Sequence, residues 1–166
     1  MNVEVVRSEH RRKTVQARLV DGVLRVAIPA TMSRAEEDHW VGLMKSKFER
    51  QAATRTIDLD ARAGRLAGLY DLPIPDSIRW VDNQRTRWGS CTLETRTIRI
   101  SSRVAGFPNW VLDYLIVHEL AHLVEPRHDA AFRALPSRYP RAERAKAFLN
   151  AMGREWNENG HQDVED

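Results

Sequence analysis

Three histidines and two glutamates fall within HELAHLVEPRH, residues 118–128. His118 and His122 stand four apart, which on an α-helix places both side chains on one face with Cβ atoms roughly 5–6 Å apart. Two imidazoles so placed can hold one ion, each nitrogen at ~2.0–2.1 Å if the ion is zinc. Glu119, one residue on, falls beside such an ion rather than on it, where its carboxylate suits a general base. Zinc lowers the pKa of its bound water towards ~7, and Glu119 can accept that proton as hydroxide attacks a carbonyl. The bland alternative is a pair of surface histidines on an amphipathic helix. Against it, the motif sits inside the strongly apolar PNWVLDYLIVHELAHLVE, where such groups are costly to bury without a partner.

A catalytic zinc takes three protein ligands and keeps one position open. His128 is the favoured third ligand because Pro126 breaks the helix and turns the chain back; Glu125, Asp129 and Glu143 are rivals by charge. Asp129 also suits the cap of the next helix, or a group that orients a ligand. His10, His39 and His161 lie outside any ligand spacing and read as surface residues. Tyr139, Tyr114 and Arg141 are candidates to stabilise an oxyanion, with an ordinary buried tyrosine the plainer account of Tyr139. Cys91 reads as a small buried residue in preference to a thiolate ligand.

The elements that position these residues can be read in outline. KTVQARLVDGVLRVAIP alternates apolar and polar residues on both sides of Asp21-Gly22, which predicts a β-hairpin. Ser33 and Glu36 have capping-box spacing and open a helix in which Trp40, Leu43, Met44, Lys47, Phe48 and Gln51 recur with helical period, the apolar members facing inward. A second helix is expected over residues 58–69, and LYDLPIPDS is a proline-rich connection. SIRWV, TRWGSC and TIRIS read as short strands, the last two joined by the turn TLETR. The metal-site helix is expected over 108–125, with Val111, Leu112, Leu115, Ile116 and Leu123 as its apolar stripe. DAAFRAL and RAERAKAFLNAM predict two further short helices.

The chain of 166 residues, 42% of them apolar, suits one domain over 1–156, made of a basic hairpin-and-helix part at 1–70 and a metal-site part at 78–156. An acidic tail at 157–166 is expected to be disordered. No run approaches the ~20 apolar residues of a membrane span. The N-terminus lacks the apolar stretch of a signal peptide, and Cys91 is the only cysteine, so a reducing cytoplasm is expected. The net charge of +3 is uneven, with +4 over residues 1–55, +4 over 79–103 and −3 over 104–166. That distribution permits contact with a phosphate backbone without requiring it.

RWGSC, TIRIS, WVLDYLIVHELAHL, RHDAAF and YP together resemble the YgjP-like metallopeptidase family, with specific motifs from about Arg79 to Tyr139. HELAHLVEPRHDAAF is also similar to the WLM and SprT-like zinc proteases, which act on DNA-bound proteins. The resemblance implies an α+β fold, a small zincin of minimal gluzincin type. In it a short mixed sheet lies beside the active-site helix, a second ligand-bearing helix follows, and an N-terminal β-hairpin and helix precede them. Carried over by position, His118, His122 and His128 bind Zn2+ and Glu119 is the catalytic base. Residues 87–91 would align a peptide or protein substrate along an edge strand, and a packed strand with Trp88 in the core is the plain alternative. The leading expectation is a zinc metallopeptidase. The alternatives are a metal-dependent hydrolase of a non-peptide such as a nucleotide, and a DNA-binding module with structural zinc, which would need no free glutamate. DNA remains a possible partner.

Overall fold

Asp21 and Gly22 both adopt positive φ, 50° and 79°, which gives the hairpin turn that a right-handed strand twist favours. They join strands β2 (Gln16–Val20) and β3 (Val23–Pro29), preceded by β1 (Asn2–Ser8). In this computed structural model, which describes residues 1–84 and 86–152, the strands form a mixed sheet in the order β1-β3-β2. The acidic segment 157–166 and His161 lie outside the described residues. β1 is an element that the sequence pattern does not announce. It pairs in parallel with β3, far from it in sequence, so no local turn signal marks it.

The chain divides into two compact units, Met1–Ala53 and Thr54–Asp166. In the first, Leu24, Val26 and Ile28 of β3 are fully buried, against Val41, Met44 and Phe48 of helix α1 (Arg34–Thr56). The inward face of α1 is therefore offset from the expected one: Trp40 and Leu43 are exposed, and the stripe at 37, 41, 44 and 48 meets the sheet. Arg7 shifts that face, because its side chain reaches Glu37 and makes this acidic residue part of the buried stripe.

In the second unit, α2 (Leu59–Tyr70) starts at Asp58, whose carboxylate accepts from the Ala61 N–H at 2.9 Å. Strands β4 (Ser77–Val81), β5 (Gly89–Thr92) and β6 (Thr97–Ser101) form a second mixed sheet in the order β4-β6-β5. β5 is thus an edge strand. It begins at Gly89, later than TRWGSC suggests, although the Trp88 carbonyl still accepts from the Ser101 N–H at 2.8 Å. Ile98 and Ile100 of β6 point into the core against α3 (Asn109–Ala121). α3 is no amphipathic stripe. From Val111 to Ala121 every residue is buried except Asp113, which is half-buried and paired with Arg62 at 2.6 Å. A helix enclosed on all sides is what an apolar sequence without a polar face dictates. α4 (Ala130–Ala134) and α5 (Ala142–Ala151) follow, and Ala145 and Leu149 of α5 are fully buried in the same core.

Candidate metal centre

α3 ends at Ala121, earlier than the expected 125, because its last turn tightens: Leu123 N–H bonds Leu120 O at 3.1 Å, and Val124 N–H bonds Ala121 O at 3.0 Å. Pro126 then prevents any resumption of the helix. His122 sits at the cap with right-handed helical geometry, φ −67° and ψ −18°, so it keeps its place one turn beyond His118. The tight turn also points the Glu125 carbonyl at His122 Nδ1, 3.2 Å away. That contact favours a proton on Nδ1 and leaves the Nε2 lone pair for a ligand role, the usual way a backbone carbonyl orients a metal-binding imidazole.

The loop after Pro126 brings His128 back. One ring nitrogen from each of His118, His122 and His128 lies within 4.8 Å of the other two, and no other such group of histidine, cysteine or acidic residues includes Glu125, Asp129, Glu143 or Cys91 among the described residues. His118 and His122 are buried and His128 is half-buried. Phe132, 2% exposed, packs against all three rings. It stacks on His122 with centroids 4.2 Å apart and meets His118 and His128 edge-on at 5.0 and 4.7 Å. The motif spacing alone assigns Phe132 no role. Its one signal is its place four residues after His128, at the start of a helix capped by Asp129, whose carboxylate accepts from the Phe132 N–H at 3.0 Å.

None of the rival groups joins that cluster among the described residues. Asp129 caps α4, and Glu143 is exposed and pairs with Lys146 at 3.1 Å. Glu125 contributes its carbonyl to His122. Burial, then the charge of Glu119, pushes the Cys91 thiol up to about 12, and Cys91 stands outside the three-histidine cluster. Tyr139 is buried with its ring 5.7 Å from Tyr70 and 6.2 Å from Tyr114; burial first, then Asp113, raises its pKa. Tyr114 lies nearer, its ring 6.1 Å from His118, and Arg141 is exposed at the start of α5. Glu119 is fully buried, and its carboxylate stands against the β5 backbone at Gly89.

The donor set fits a divalent metal ion: three converging imidazoles, one of them oriented by a backbone carbonyl, with a carboxylate on the residue next to a ligand. A helix-borne pair of histidines, a third from the following loop and a mixed sheet alongside define the class, a small metallopeptidase. The chain belongs to the YgjP-like metallopeptidase family, whose domain model matches residues 28–152. No curated relative matches it by sequence. Its fold is similar to that of the metallopeptidase zymogen of Pyrococcus abyssi abylysin, with a TM-score of 0.52 and 16% identity over 58% of this chain and 97% of that one. The zymogen of Methanocaldococcus jannaschii jannalysin is similar too, with a TM-score of 0.50 and 18% identity over the same shares, 58% and 97%. No helix among the described residues is long and apolar enough to cross a membrane.

Proposed function

We propose that the metal of this peptidase is zinc, held by His118, His122 and His128, and that Glu119 is the general base in the hydrolysis of peptide bonds. The observation that carries this reading is the convergence of three imidazole nitrogens within 4.8 Å of one another, two from the end of α3 and one from the following loop. A bound zinc ion supplies a Lewis acid for the scissile carbonyl and lowers the pKa of water. Glu119 takes the proton from the attacking water and passes it to the leaving amine, the two halves of general acid–base catalysis. Phe132 holds the three rings in place, and the Glu125 carbonyl fixes the tautomer of His122. β5, at the edge of its sheet, offers main-chain groups along which an extended peptide or protein segment can align, the role expected of residues 87–91. A cytoplasmic setting agrees with a single cysteine in the chain.

The test is metal analysis of the purified protein with hydrolysis of a labelled protein substrate. About one zinc per chain and activity lost to a chelator and restored by zinc are expected. His128→Ala weakens zinc binding; unchanged affinity removes His128 from the site.

A further inference from the structure

Among the described glycines, Gly89 alone has a neighbour within 4 Å of the place a Cβ would take. That neighbour is Glu119: the added carbon would stand 2.6 Å from Oε1 and 3.0 Å from both Cδ and Cγ. The φ angle of Gly89 is not in the left-handed region, so its backbone would accept alanine, and the contact with Glu119 is what excludes a side chain. A glycine within a strand pattern signals close approach by another group, substrate among the candidates. The approaching group is instead the glutamate of the His-Glu-x-x-His motif.

We propose that Gly89 is a positioning residue of the peptidase site: its missing side chain is the space in which the Glu119 carboxylate is held. The proposal rests on the reading of Glu119 as general base. Glu119 is 0% exposed, and Leu115, Ile116 and Leu120 around it on α3 are equally buried, so a displaced carboxylate has no open solvent to swing into. Gly89 is itself fixed in register, opposite Ile100 of β6, whose side chain is also fully buried. That pairing holds Gly89 on its β6 side, and a methyl group at 89 moves the carboxylate away from where it takes its proton. Misplacement by about 1 Å costs on the order of a hundredfold in rate.

Four proteins test this: wild type, Gly89→Ala, Glu119→Ala and the double variant, each assayed metal-free for Tm, then for zinc content and for kcat and KM on a labelled casein. Gly89→Ala is expected to lower Tm and to cut kcat about a hundredfold with KM and zinc content unchanged. In the Glu119→Ala background the same substitution is expected to leave Tm unchanged, because the new methyl enters vacated space. If Gly89→Ala alone does not fold, a folded double variant supports the proposal in the same way. Equal loss of Tm in both backgrounds, a double variant that does not fold, or wild-type kcat in Gly89→Ala overturns the proposal. Activity retained by Glu119→Ala overturns the base assignment on which it rests, whereas wild-type kcat in Gly89→Ala leaves that assignment standing.

Discussion

Among the described residues each unit buries one glutamate in a helix, and the two keep different company. Glu37 on α1 keeps 12% of its side-chain surface and is ion-paired to Arg7. The same guanidinium donates to the carbonyls of Ala30 and Met32, each at 2.9 Å. Its charge is met by an arginine, and the cluster ties β1 to the chain entering α1. Glu119 on α3 is fully enclosed and lies beside a motif histidine, its carboxylate against the β5 backbone. Burial alone does not mark a catalytic acid. Their company differs: at Glu37 an arginine makes a fixed charge into a structural tie, whereas Glu119 stands beside converging imidazoles, the setting of the general base proposed above.

The largest effect separates the two glutamates. Glu119→Gln is expected to keep Tm and zinc while kcat falls about 10²–10⁴-fold, because an amide cannot accept the proton. Glu37→Gln is expected to lower Tm with kcat unchanged. Loss of zinc from Glu119→Gln would make Glu119 a ligand and break the contrast.

Phe132→Ala comes next. Removing a buried phenylalanine costs about 3–5 kcal/mol, and here it also frees three rings that it touches at 4.2 to 5.0 Å. Zinc affinity should fall with stability, measured by metal titration and by denaturation of the metal-free protein. Unchanged affinity would mean that α3 and the Pro126 turn orient the histidines without it.

The meeting of His118, His122 and His128 is legible in the sequence because helical period and a proline break convert spacing into direction. The hairpin is legible because Asp-Gly demands one turn. β1 is not, since its partner β3 is set by parallel pairing across the sheet. The inward face of α1 differs from the expected one because Trp40 and Leu43 are apolar, whereas Glu37 turns in only through Arg7, thirty residues away. The pairing of Gly89 with Glu119 joins two motifs that each look self-contained. Local pattern reveals the converging histidines; the close approach of Gly89 to Glu119 comes from distant chain.

Arg7→Ala tests the structural tie. Breaking a buried pair costs more than forming it contributes, and with the Arg7 side chain 40% exposed the expected loss is about 1–3 kcal/mol by denaturant titration. Arg7→Met with Glu37→Met should recover most of it, because no lone charge then remains under the helix. A double variant as unstable as Arg7→Ala would mean that the bonds to Ala30 and Met32 carry the stability and the charge pair does not.

The smallest effect lies at the start of the same helix, one residue from Glu37. Glu36 accepts from the Ser33 N–H at 3.0 Å and from its hydroxyl at 2.7 Å, while the hydroxyl accepts from the Glu36 N–H at 3.3 Å. The Ser33 hydroxyl first, then its backbone N–H, hold the Glu36 carboxyl below its ordinary value of 4.5. A carboxyl with a lowered folded pKa contributes stability that is complete above the unfolded value and is lost as pH falls through the folded one. Glu36→Gln keeps the capping shape and removes the charge. Its Tm should lie slightly below that of the wild type at neutral pH, and the gap should close on acidification through the carboxylate range. Thermal scans at a series of pH values measure it. A gap that stays constant would show that the cap works by shape alone; a gap that closes would show that α1 uses the charge of an exposed glutamate and, one residue further on, ties down a buried one.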